Sequence, residues 1–362
     1  MKKYGNKYKS NHSGSKLVCA LISAIYLLLS SASLQADTTS IFNQSSANQP
    51  TIHKQFYLEL GKEEQYIEIL SHSETNPVLL FIHGGPAWPQ TPQLRYYSAE
   101  LAKKYTLVIW EQRGAGKSYM KNPNPSNLSL QQILNDGHEL TGWLKAQYNQ
   151  EKIYLAGYSW GSMLGAKLAY QYPNDYKAYI GIAQITNLEN RKQVSLEWLE
   201  KQVIQAADAN DLALLEKVKD VSNYESELDR FFEQWLMLNK YGGAIYSETV
   251  RMETDKAIAA APDYAGYDWF AVWERSAKVL QRDMELNSID GLTSFEVPVF
   301  LLQGRHDWNV PSVLAEAWLN NVSSPSKKLF WFEYSGHSLL EEESEKFNDV
   351  LFDIAEIVEA ID

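Results

Sequence analysis

Cysteine is almost absent from this sequence. The one residue of this type, Cys19, lies in the N-terminal segment, and without that segment the chain has no thiol. Disulfide bonds and cysteine catalysis are then excluded. The seven histidines are scattered and form no HxxxH pair, so we expect no metal and no other cofactor. Any catalytic groups are therefore expected among ordinary hydroxyl, imidazole and carboxylate side chains.

A complete phosphate-binding loop is also missing. The stretch WEQRGAGKSY, residues 110–119, ends in the Gly-Lys-Ser that closes such a loop. The Walker pattern needs a glycine five residues before Gly116, because backbone N–H groups wrap the phosphate there. That position holds Glu111, whose carboxylate would repel a phosphate. The stretch therefore does not predict nucleotide binding.

Positive charge is in deficit. With 33 lysines and arginines against 45 acids the net charge is −12, and it becomes −17 without residues 1–36, which hold five lysines and no acid. An acidic surface repels nucleic acids and anionic lipid, so we expect no nucleic-acid partner. A small neutral or cationic substrate fits this charge. The alternative is that the acidity serves solubility alone.

The N-terminal segment has the layout of a secretory signal peptide. Residues 1–36 begin with lysines, continue with an apolar run over 17–29 and end in small residues, which favours cleavage after Ala36 or Ser33. The apolar run is shorter than the roughly 20 residues of a membrane-spanning helix. We therefore predict an exported protein, periplasmic or secreted, without stable membrane association; an uncleaved membrane anchor is the alternative. Residues 37–52 are polar and predict a flexible leader.

Strand and helix patterns alternate along most of the remaining chain. Two segments of alternating apolar and polar residues, 54–60 and 65–71, predict a hairpin joined at Gly61. Near-continuous apolar runs follow, which are typical of strands buried on both faces. These runs are VLLFIH (78–83), YTLVIW (105–110), KIYLAG (152–157), KAYIGIA (177–183), VPVFLLQG (297–304) and KLFWFEY (328–334). Helical patterns cover 129–148, 160–172, 312–321 and 345–361.

This alternation predicts the fold class. We expect an α/β protein with a mostly parallel central sheet, helices on both faces and an antiparallel hairpin at one side. Between residues 186 and 290 the alternation stops, and the segment is charged, aromatic and helical in pattern. We interpret 186–290 as a helical cap inserted between two parts of one core, 53–185 and 291–362.

One predicted strand leads directly into a candidate nucleophile. KIYLAG runs into Gly157-Tyr158-Ser159-Trp160-Gly161, and a helical pattern follows at once. This is G-x-S-x-G in the strand–turn–helix context of a nucleophile elbow. There a strained turn exposes the serine, and the helix N-terminus faces the developing negative charge. Ser159 is therefore predicted to attack a carbonyl carbon.

Two later strands provide the base and the acid that such a serine needs. Asp307 follows the strand pattern FLLQG, and His337 follows LFWFEY, so both lie where the carboxyl ends of parallel strands meet. The chain order Ser, Asp, His is that of α/β-hydrolases. We predict a triad in which Ser159 is the nucleophile, His337 the general base and Asp307 the group that orients the imidazole. Activity should then rise with pH as His337 loses its proton.

A candidate oxyanion loop follows the third strand. In the run His83-Gly84-Gly85-Pro86 the glycines allow backbone N–H groups to turn towards the site. We predict that the N–H groups of Gly84, Gly85 and Trp160 hold the oxyanion, and that each is worth roughly 10² to 10³ in rate. His83 is expected to orient the loop rather than to take part in the chemistry.

Five motifs together carry a family resemblance: HGGP, EQRGAGKS, GYSWGS, GRHD and SGHS. In this order and near this spacing they closely resemble the proline iminopeptidase family of α/β-hydrolase serine peptidases, over essentially the whole chain after the signal segment. The resemblance implies an α/β-hydrolase fold in which Arg113 braces the loop region and Lys117 binds no phosphate. The sequence departs from the family pattern at Glu111, which is usually aspartate, and at Ala87, where a third glycine usually follows the proline.

The resemblance also implies a binding site for the free amine of the substrate. In true proline iminopeptidases carboxylates of the cap hold this amine, one of them in an aromatic helical segment. Trp269, Trp273 and Glu274 in WFAVWERS resemble that segment, with Glu274 as the amine anchor. The alternative is that the two tryptophans, which are four residues apart, simply pack in the core. The stretch that usually carries a second amine-binding glutamate is missing, since only 286–296 stands in its place.

These features predict a serine hydrolase that works through an acyl-enzyme. The resemblance implies an aminopeptidase of the proline iminopeptidase type, which releases N-terminal residues from small peptides. A carboxylesterase or amidase that uses the same triad on small acyl substrates is the alternative, and a non-enzymatic binding protein on a hydrolase scaffold is the third. An epoxide hydrolase or dehalogenase is not expected, because those enzymes need a carboxylate where this chain has Ser159.

Overall fold

A computed structural model describes residues 50–253 and 256–361. The predicted signal peptide, 1–36, lies outside these residues, and so does the predicted leader up to residue 49; both stay predictions. The first strand begins at Ile52, the last residue assigned to the leader. Among the residues that the structure describes, no helix is long and apolar enough to cross a membrane.

The core is an eight-stranded sheet in the order β1-β2-β4-β3-β5-β6-β7-β8. Its strands are β1 Ile52–Leu60, β2 Glu63–Ser71, β3 Val78–Ile82, β4 Thr106–Glu111, β5 Ile153–Tyr158, β6 Tyr176–Ile182, β7 Val299–Gly304 and β8 Lys327–Phe332. The β1–β2 hairpin is antiparallel, as is the pairing of β2 with β4, and all later pairs are parallel. The fold class predicted from the alternation is confirmed.

The burial of the strands explains their composition. β3, β4, β5 and β7 are buried at every position, because helices cover both faces of the sheet. The edge strand β1 instead alternates between exposed and partly buried residues along much of its length. The continuous apolar runs of β3, β4, β5 and β7 thus mark central strands, whereas β8, which also has an apolar run, lies at the other edge and is partly exposed.

Helices of the core lie in two layers. The helices are α1 Thr91–Tyr97, α2 Gly116–Lys121, α3 Leu130–Tyr148, α4 Trp160–Gln171, α11 Ser312–Asn321, α12 Leu339–Glu342 and α13 Ser344–Glu359. Residues of α3, α4 and α11 share one hydrophobic cluster with one face of the sheet. Residues of α1 and α13 share another cluster with the opposite face. The sheet thus has a hydrophobic core on each side, and its carboxyl edge is left for the loops.

The segment between β6 and β7 is helical, as the sequence indicates. It contains α5 Leu188–Ala206, α6 Ala209–Val218, α7 Glu227–Lys240, α8 Glu248–Glu253, α9 Lys256–Ala259 and α10 Trp269–Leu286. Side-chain caps fix the starts of the longer ones: Asn187, Asp208, Ser226 and Asp268 each accept a hydrogen bond from a backbone N–H of the first turn. A separate small cluster of buried residues, including Leu199 and Met237, holds α5, α6 and α7 together.

Candidate active site

The turn after β5 holds Ser159 in a strained conformation. Its backbone has φ 52° and ψ −116°, which is rare for a residue with a side chain. Two glycines make the turn possible. A Cβ on Gly157 would collide with the carbonyl oxygen of Gly161, and a Cβ on Gly161 would collide with the carbonyl oxygen of Ile82. The strand and the helix therefore approach closely enough to raise the serine above the edge of the sheet.

The structure brings Ser159, His337 and Asp307 into one hydrogen-bonded chain. Nε2 of His337 lies 3.0 Å from Oγ of Ser159, and Nδ1 of His337 lies 2.7 Å from Oδ2 of Asp307. Asp307 is 1% exposed, and its other oxygen accepts a hydrogen bond from the Val310 N–H at 2.8 Å. A carboxylate held in this way keeps the proton on Nδ1, so that Nε2 is free to accept the serine proton.

Contacts with the cap hold the loops that carry Asp307 and His337. The His337 N–H donates to the carbonyl oxygen of Ala244 at 2.6 Å, and the N–H groups of Trp308 and Asn309 both donate to that of Gly243. These two carbonyls belong to the chain between α7 and α8. The hydroxyl of Tyr158 donates to the carbonyl of His337 at 2.8 Å. The position of the imidazole thus depends on the cap as well as on the core.

Glu342 fastens the histidine loop from the other side, next to another partly buried glutamate, Glu341. Glu342 accepts hydrogen bonds from the N–H of Gly336 at 2.7 Å and from the N–H of Ser247 at 2.6 Å. Burial raises the pKa of Glu342 to about 7, although these backbone hydrogen bonds oppose the shift. Burial, and next the charge of Glu342, raises the pKa of Glu341 to about 8. Sequence reasoning missed this pair, because its burial depends on how α12 packs.

The predicted oxyanion loop is present, with one correction. The N–H of Gly84 donates to Oε1 of Gln90 at 2.7 Å, so this group is already used to brace the loop and does not face the cavity as a donor. Gly85 lines the cavity beside Ser159. Within the described residues no hydrogen bond uses the N–H of Gly85 or that of Trp160. Gly85 and Trp160 are therefore the two donors that the geometry leaves for an oxyanion.

His83 acts within the loop and not at the cavity. Its ring is fully buried, contacts the Gly84 carbonyl oxygen through Nδ1 at 2.8 Å and accepts the Gln112 N–H at Nε2 at 3.1 Å. Burial lowers the pKa of His83 to about 4, so the imidazole is neutral at physiological pH. A neutral ring with both nitrogens engaged fixes the end of β3 against the end of β4.

The EQRGAGKS stretch braces the core, and its lysine holds the cap. Arg113 is buried and binds Asp136 through Nε at 2.5 Å and Nη2 at 2.9 Å, and it also donates to the carbonyl oxygens of Leu60 and Gly61 in the first hairpin. Nζ of Lys117 donates to Asp263, which lies between α9 and α10 in the cap. No part of this stretch is arranged around a phosphate.

Glu111 is a second link between the core and the cap. Its carboxylate accepts hydrogen bonds from Thr91, from the N–H of Lys117 and from the hydroxyl of Tyr264 in the cap. Burial raises the pKa of Glu111, although these hydrogen bonds oppose the shift. Glutamate is one methylene longer than the aspartate that is usual at this position in the proline iminopeptidase pattern.

Ser159 opens into a cavity of about 370 Å³ between the core and the cap. Its apolar lining includes Pro86, Leu228, Phe231, Trp273 and Met284. The charged side chains that line it are Glu189, Arg191, Lys192, Glu227 and Glu285. Its size lies near the lower end of ligand pockets, which run from roughly 300 to 1,000 Å³. A small substrate fits such a site better than a long chain.

The structure places Glu274 outside this cavity. Its carboxylate pairs with Lys278 one turn further along α10, at 2.6 Å, and its side chain is 39% exposed. Of the two tryptophans, Trp273 lines the cavity, whereas Trp269 packs against Trp88 and Tyr267. A one-residue step on a helix turns a side chain by about 100°, so Trp273 faces the cavity while Glu274 does not. The amine anchor expected at Glu274 is therefore not brought to the site.

Three other carboxylates line the cavity in which Glu274 was expected: Glu189, Glu227 and Glu285. Glu227 is held by Arg230, at 2.7 Å, and by Lys192, at 2.9 Å. Glu285 lies 3.9 Å from Lys192. Glu189 forms no ion pair or hydrogen bond with another residue in the described part of the chain. Glu189 is the second residue of α5, seven positions after the end of β6, and no motif in the sequence singled it out.

The chain is similar to known proteins. The family model for the α/β-hydrolase fold matches residues 77–344. The probable aminopeptidase YbaC of Bacillus subtilis (strain 168) is 27% identical over 298 residues, which are 81% of this chain and 93% of that protein. The proline iminopeptidase of Clostridioides difficile (strain 630) is 24% identical over 304 residues, 80% of this chain and 94% of that protein.

A solved structure agrees with these relatives. The crystal structure of the proline iminopeptidase from Mycobacterium smegmatis superposes with a TM-score of 0.61 at 17% identity, covering 85% of this chain and 98% of that one. At this identity the likeness shows the fold alone. The relatives confirm the resemblance that the five motifs indicate. The chain belongs to the α/β-hydrolase fold family.

Proposed function

We propose that this hydrolase is a serine aminopeptidase of the proline iminopeptidase type, acting on small peptides. The observation that carries the proposal is the hydrogen-bonded chain Ser159–His337–Asp307 at the mouth of a small cavity with unpaired carboxylate charge. The names of the two relatives support the peptidase reading, and the acidic lining supports recognition of an amine.

The reaction follows from the positions of these groups. Oγ of Ser159 attacks the scissile carbonyl carbon while its proton passes to Nε2 of His337. Asp307 stabilises the imidazolium through Nδ1, and the N–H groups of Gly85 and Trp160 hold the oxyanion. The proton then moves to the leaving nitrogen, and water attacks the acyl-enzyme in a second round with the same base. The proton transfers use triad groups that lie within hydrogen-bond reach of one another.

The amine would be held by Glu189 in place of Glu274. Of the cavity carboxylates, Glu227 is already paired with two cations. Glu285 accepts a hydrogen bond from Gln281 and has Lys192 nearby, whereas Glu189, although exposed like Glu285, has neither kind of contact within the described ranges. Glu189 has no partner among the described residues and is free to accept a substrate ammonium group. A charge-assisted hydrogen bond of this kind is worth roughly 1.5–3 kcal/mol.

The test compares prolyl and alanyl chromogenic amides with their N-acetylated forms and with a short-chain ester. We expect cleavage of the free-amine substrates, a loss of most of the rate on acetylation, and a loss of roughly 10⁶ in kcat in Ser159→Ala. Glu189→Gln should lower kcat/KM for free-amine substrates by about 10- to 100-fold and leave the ester unchanged. Glu274→Gln is the matched control and should change neither.

Three results would contradict the proposal or its amine anchor. Hydrolysis of the ester alone, without any amide cleavage, would assign the triad to a carboxylesterase. Equal cleavage of free and acetylated substrates would keep an amidase but remove amine recognition. A loss of rate in Glu274→Gln but not in Glu189→Gln would restore the residue that the sequence pattern indicates.

A further inference from the structure

A second charged group in the cavity has no role in the proposed reaction. Arg191 lies in the first turn of α5 and lines the cavity that holds Ser159. Its guanidinium lies over the ring of Phe231, 5.6 Å from the centroid. No ion pair or side-chain hydrogen bond joins Arg191 to another residue in the ranges 50–253 and 256–361. A cation in this position is short of a counter-charge.

The helix geometry explains why Arg191 remains unpaired. Glu189 is two residues away and lines the same cavity, but side chains at this spacing do not face each other closely enough to pair. Lys192, the next residue, is already matched with Glu227. Asp307 is the one charge that acts on Arg191 strongly enough to oppose the lowering of its pKa by burial, and Asp307 is itself bound to His337. Arg191 is therefore left facing the substrate side of the cavity.

We propose that Arg191 binds a carboxylate of the substrate, and that this carboxylate is the C-terminus of a dipeptide. The inference rests on the proposed aminopeptidase function and narrows its substrate class. Guanidinium presents paired N–H donors that match a carboxylate, and the cation–π contact with Phe231 helps to hold the side chain at the cavity. Glu189 and Arg191 together offer one anionic and one cationic group, which match the two charged ends of a dipeptide.

The cavity supports a short substrate. Its volume of about 370 Å³ is small, and cap residues line it together with Ser159, so a peptide with a free amine at one end has little length left beyond the scissile bond. In such a substrate the leaving amino acid carries the terminal carboxylate itself. A neutral C-terminal amide would instead leave the guanidinium unpaired, and an unpaired buried charge is costly.

The experiment measures a ratio of two substrates. Prolyl-alanine and alanyl-alanine are each assayed as the free acid and as the C-terminal amide, and kcat/KM is compared. The wild-type protein should prefer the free acid by about 10- to 100-fold. In Arg191→Met this ratio should fall to near one, and Arg191→Lys should be intermediate because it keeps the charge without the fork. Arg282→Met, an exposed arginine of α10, is the matched control and should keep the wild-type ratio.

A second pair of substrates distinguishes another source of the carboxylate. If Arg191 instead binds an acidic side chain of the residue that is released, glutamyl anilide should be cleaved faster than glutaminyl anilide, and Arg191→Met should abolish that difference. A wild-type protein that cleaves the acid and amide forms of the dipeptides equally overturns the dipeptide assignment. An acid preference that persists in Arg191→Met overturns the role of Arg191.

An inhibition assay separates this inference from the proposed function. Butyrate and the isosteric butyramide are tested against hydrolysis of a neutral short-chain ester, which requires only the triad. If no peptide is cleaved, the aminopeptidase proposal fails. The carboxylate site then stands if butyrate inhibits the wild-type protein at least 10-fold more strongly than butyramide and loses this advantage in Arg191→Met. The carboxylate site at Arg191 is contradicted if butyrate and butyramide inhibit equally.

Discussion

At the scale of single residues, His83 shows how a group can serve catalysis without contacting the substrate. Its two ring nitrogens contact the Gly84 carbonyl and the Gln112 N–H, and these bonds fix the loop that carries Gly85. An oxyanion donor is effective only where it is held in place before the charge develops. The orientation of Gly85 therefore depends on the neutral form of a buried imidazole.

We predict that His83→Ala lowers kcat for amide hydrolysis by about 10-fold or more with a small change in KM, because a misplaced donor loses transition-state stabilisation. It should also lower the free energy of unfolding by roughly 1–3 kcal/mol, because the Gln112 N–H loses its partner. Steady-state kinetics and urea unfolding measure the two effects. A variant with wild-type kcat would show that the loop holds its shape without the ring.

The lowered pKa of His83 gives this prediction a pH dependence. Its folded-state pKa of about 4 lies below the ordinary value near 6.5, so the unfolded chain binds the proton more readily. The contribution of the neutral ring to stability is complete above about pH 6.5 and is lost as the pH falls towards 4. The difference in unfolding free energy between the wild-type protein and His83→Ala should therefore shrink over this range.

The members of the candidate triad could be identified from the sequence, whereas the placement of Gly84 and Glu274 could not. The elbow and the ends of two later strands bring Ser159, Asp307 and His337 together because parallel topology determines where strand ends meet. Gly84 is excluded as an oxyanion donor because its N–H donates to the side chain of Gln90. That contact forms only when the loop is folded, so the sequence does not reveal it. The exclusion of Glu274 depends on the rotation of one helix, which no single-residue pattern specifies.

At the scale of elements, the approach of α4 to β3 sets the height of the nucleophile. We predict that Gly161→Ala lowers both stability and kcat, because its Cβ would collide with the carbonyl oxygen of Ile82, a backbone atom that cannot move aside cheaply. A destabilisation of roughly 1–3 kcal/mol and a loss of at least 10-fold in kcat are expected.

Gly142→Ala is the matched control for this change. Gly142 lies in α3, and no atom stands within 4 Å of the position that its Cβ would take. Alanine at this helical site should raise the free energy of unfolding by about 0.5–1 kcal/mol without affecting activity. Thermal unfolding and amide hydrolysis of both variants check the contrast. Equal behaviour of the two glycines would mean that the elbow tolerates a wider gap between strand and helix.

The ion pair between Arg113 and Asp136 ties the first hairpin to α3. Both side chains are almost completely buried, with 1% and 0% exposed. We predict that Arg113→Met destabilises the protein by about 3–5 kcal/mol, because a buried carboxylate then lacks its counter-charge. Arg113→Lys should cost less, since it keeps the charge but loses the fork. Urea unfolding ranks the variants, and a smaller loss for Met than for Lys would contradict this account.

Elements were predicted well where their pattern was long and poorly where it was short. All eight strands coincide with apolar or alternating runs to within a few residues, because most of them cross a core that helices cover on both faces. α1 and α2 were not predicted. Each has fewer than eight residues, α1 has proline in its first turn and α2 begins with glycine, so neither offers a periodic apolar stripe. Their positions depend on the loops that precede them, after β3 and β4.

At the scale of the whole molecule, stability should depend on pH through the carboxyl groups behind the histidine loop. Glu341 has a folded-state pKa of about 8, above its ordinary value near 4.5, so the folded protein binds this proton more tightly than the unfolded chain. The stabilising contribution of the protonated group is complete below about pH 4.5 and is lost as the pH rises to 8.

We therefore predict that Glu341→Gln, which stays neutral, gains stability relative to the wild-type protein as the pH rises from 4.5 to 8, by roughly 1–3 kcal/mol at the upper end. Glu316→Gln, an exposed glutamate of α11, is the control and should show no such trend. Chemical unfolding across this pH range measures both differences. If the difference in unfolding free energy did not vary with pH, the carboxyl group of Glu341 would be solvated and its pKa unshifted.

The hydrogen bonds from the Asp307 and His337 loops to the carbonyls of Gly243 and Ala244 bear on how this protein could be engineered. A cap exchanged for that of another family member would remove the acceptors of three backbone N–H groups beside the triad. Chimeras with foreign caps should therefore lose turnover on every substrate, including esters that need no cap contact, unless the short run through Gly243 and Ala244 is grafted with the core. Specificity in this hydrolase is thus better altered by point substitutions in the cavity than by exchange of the module.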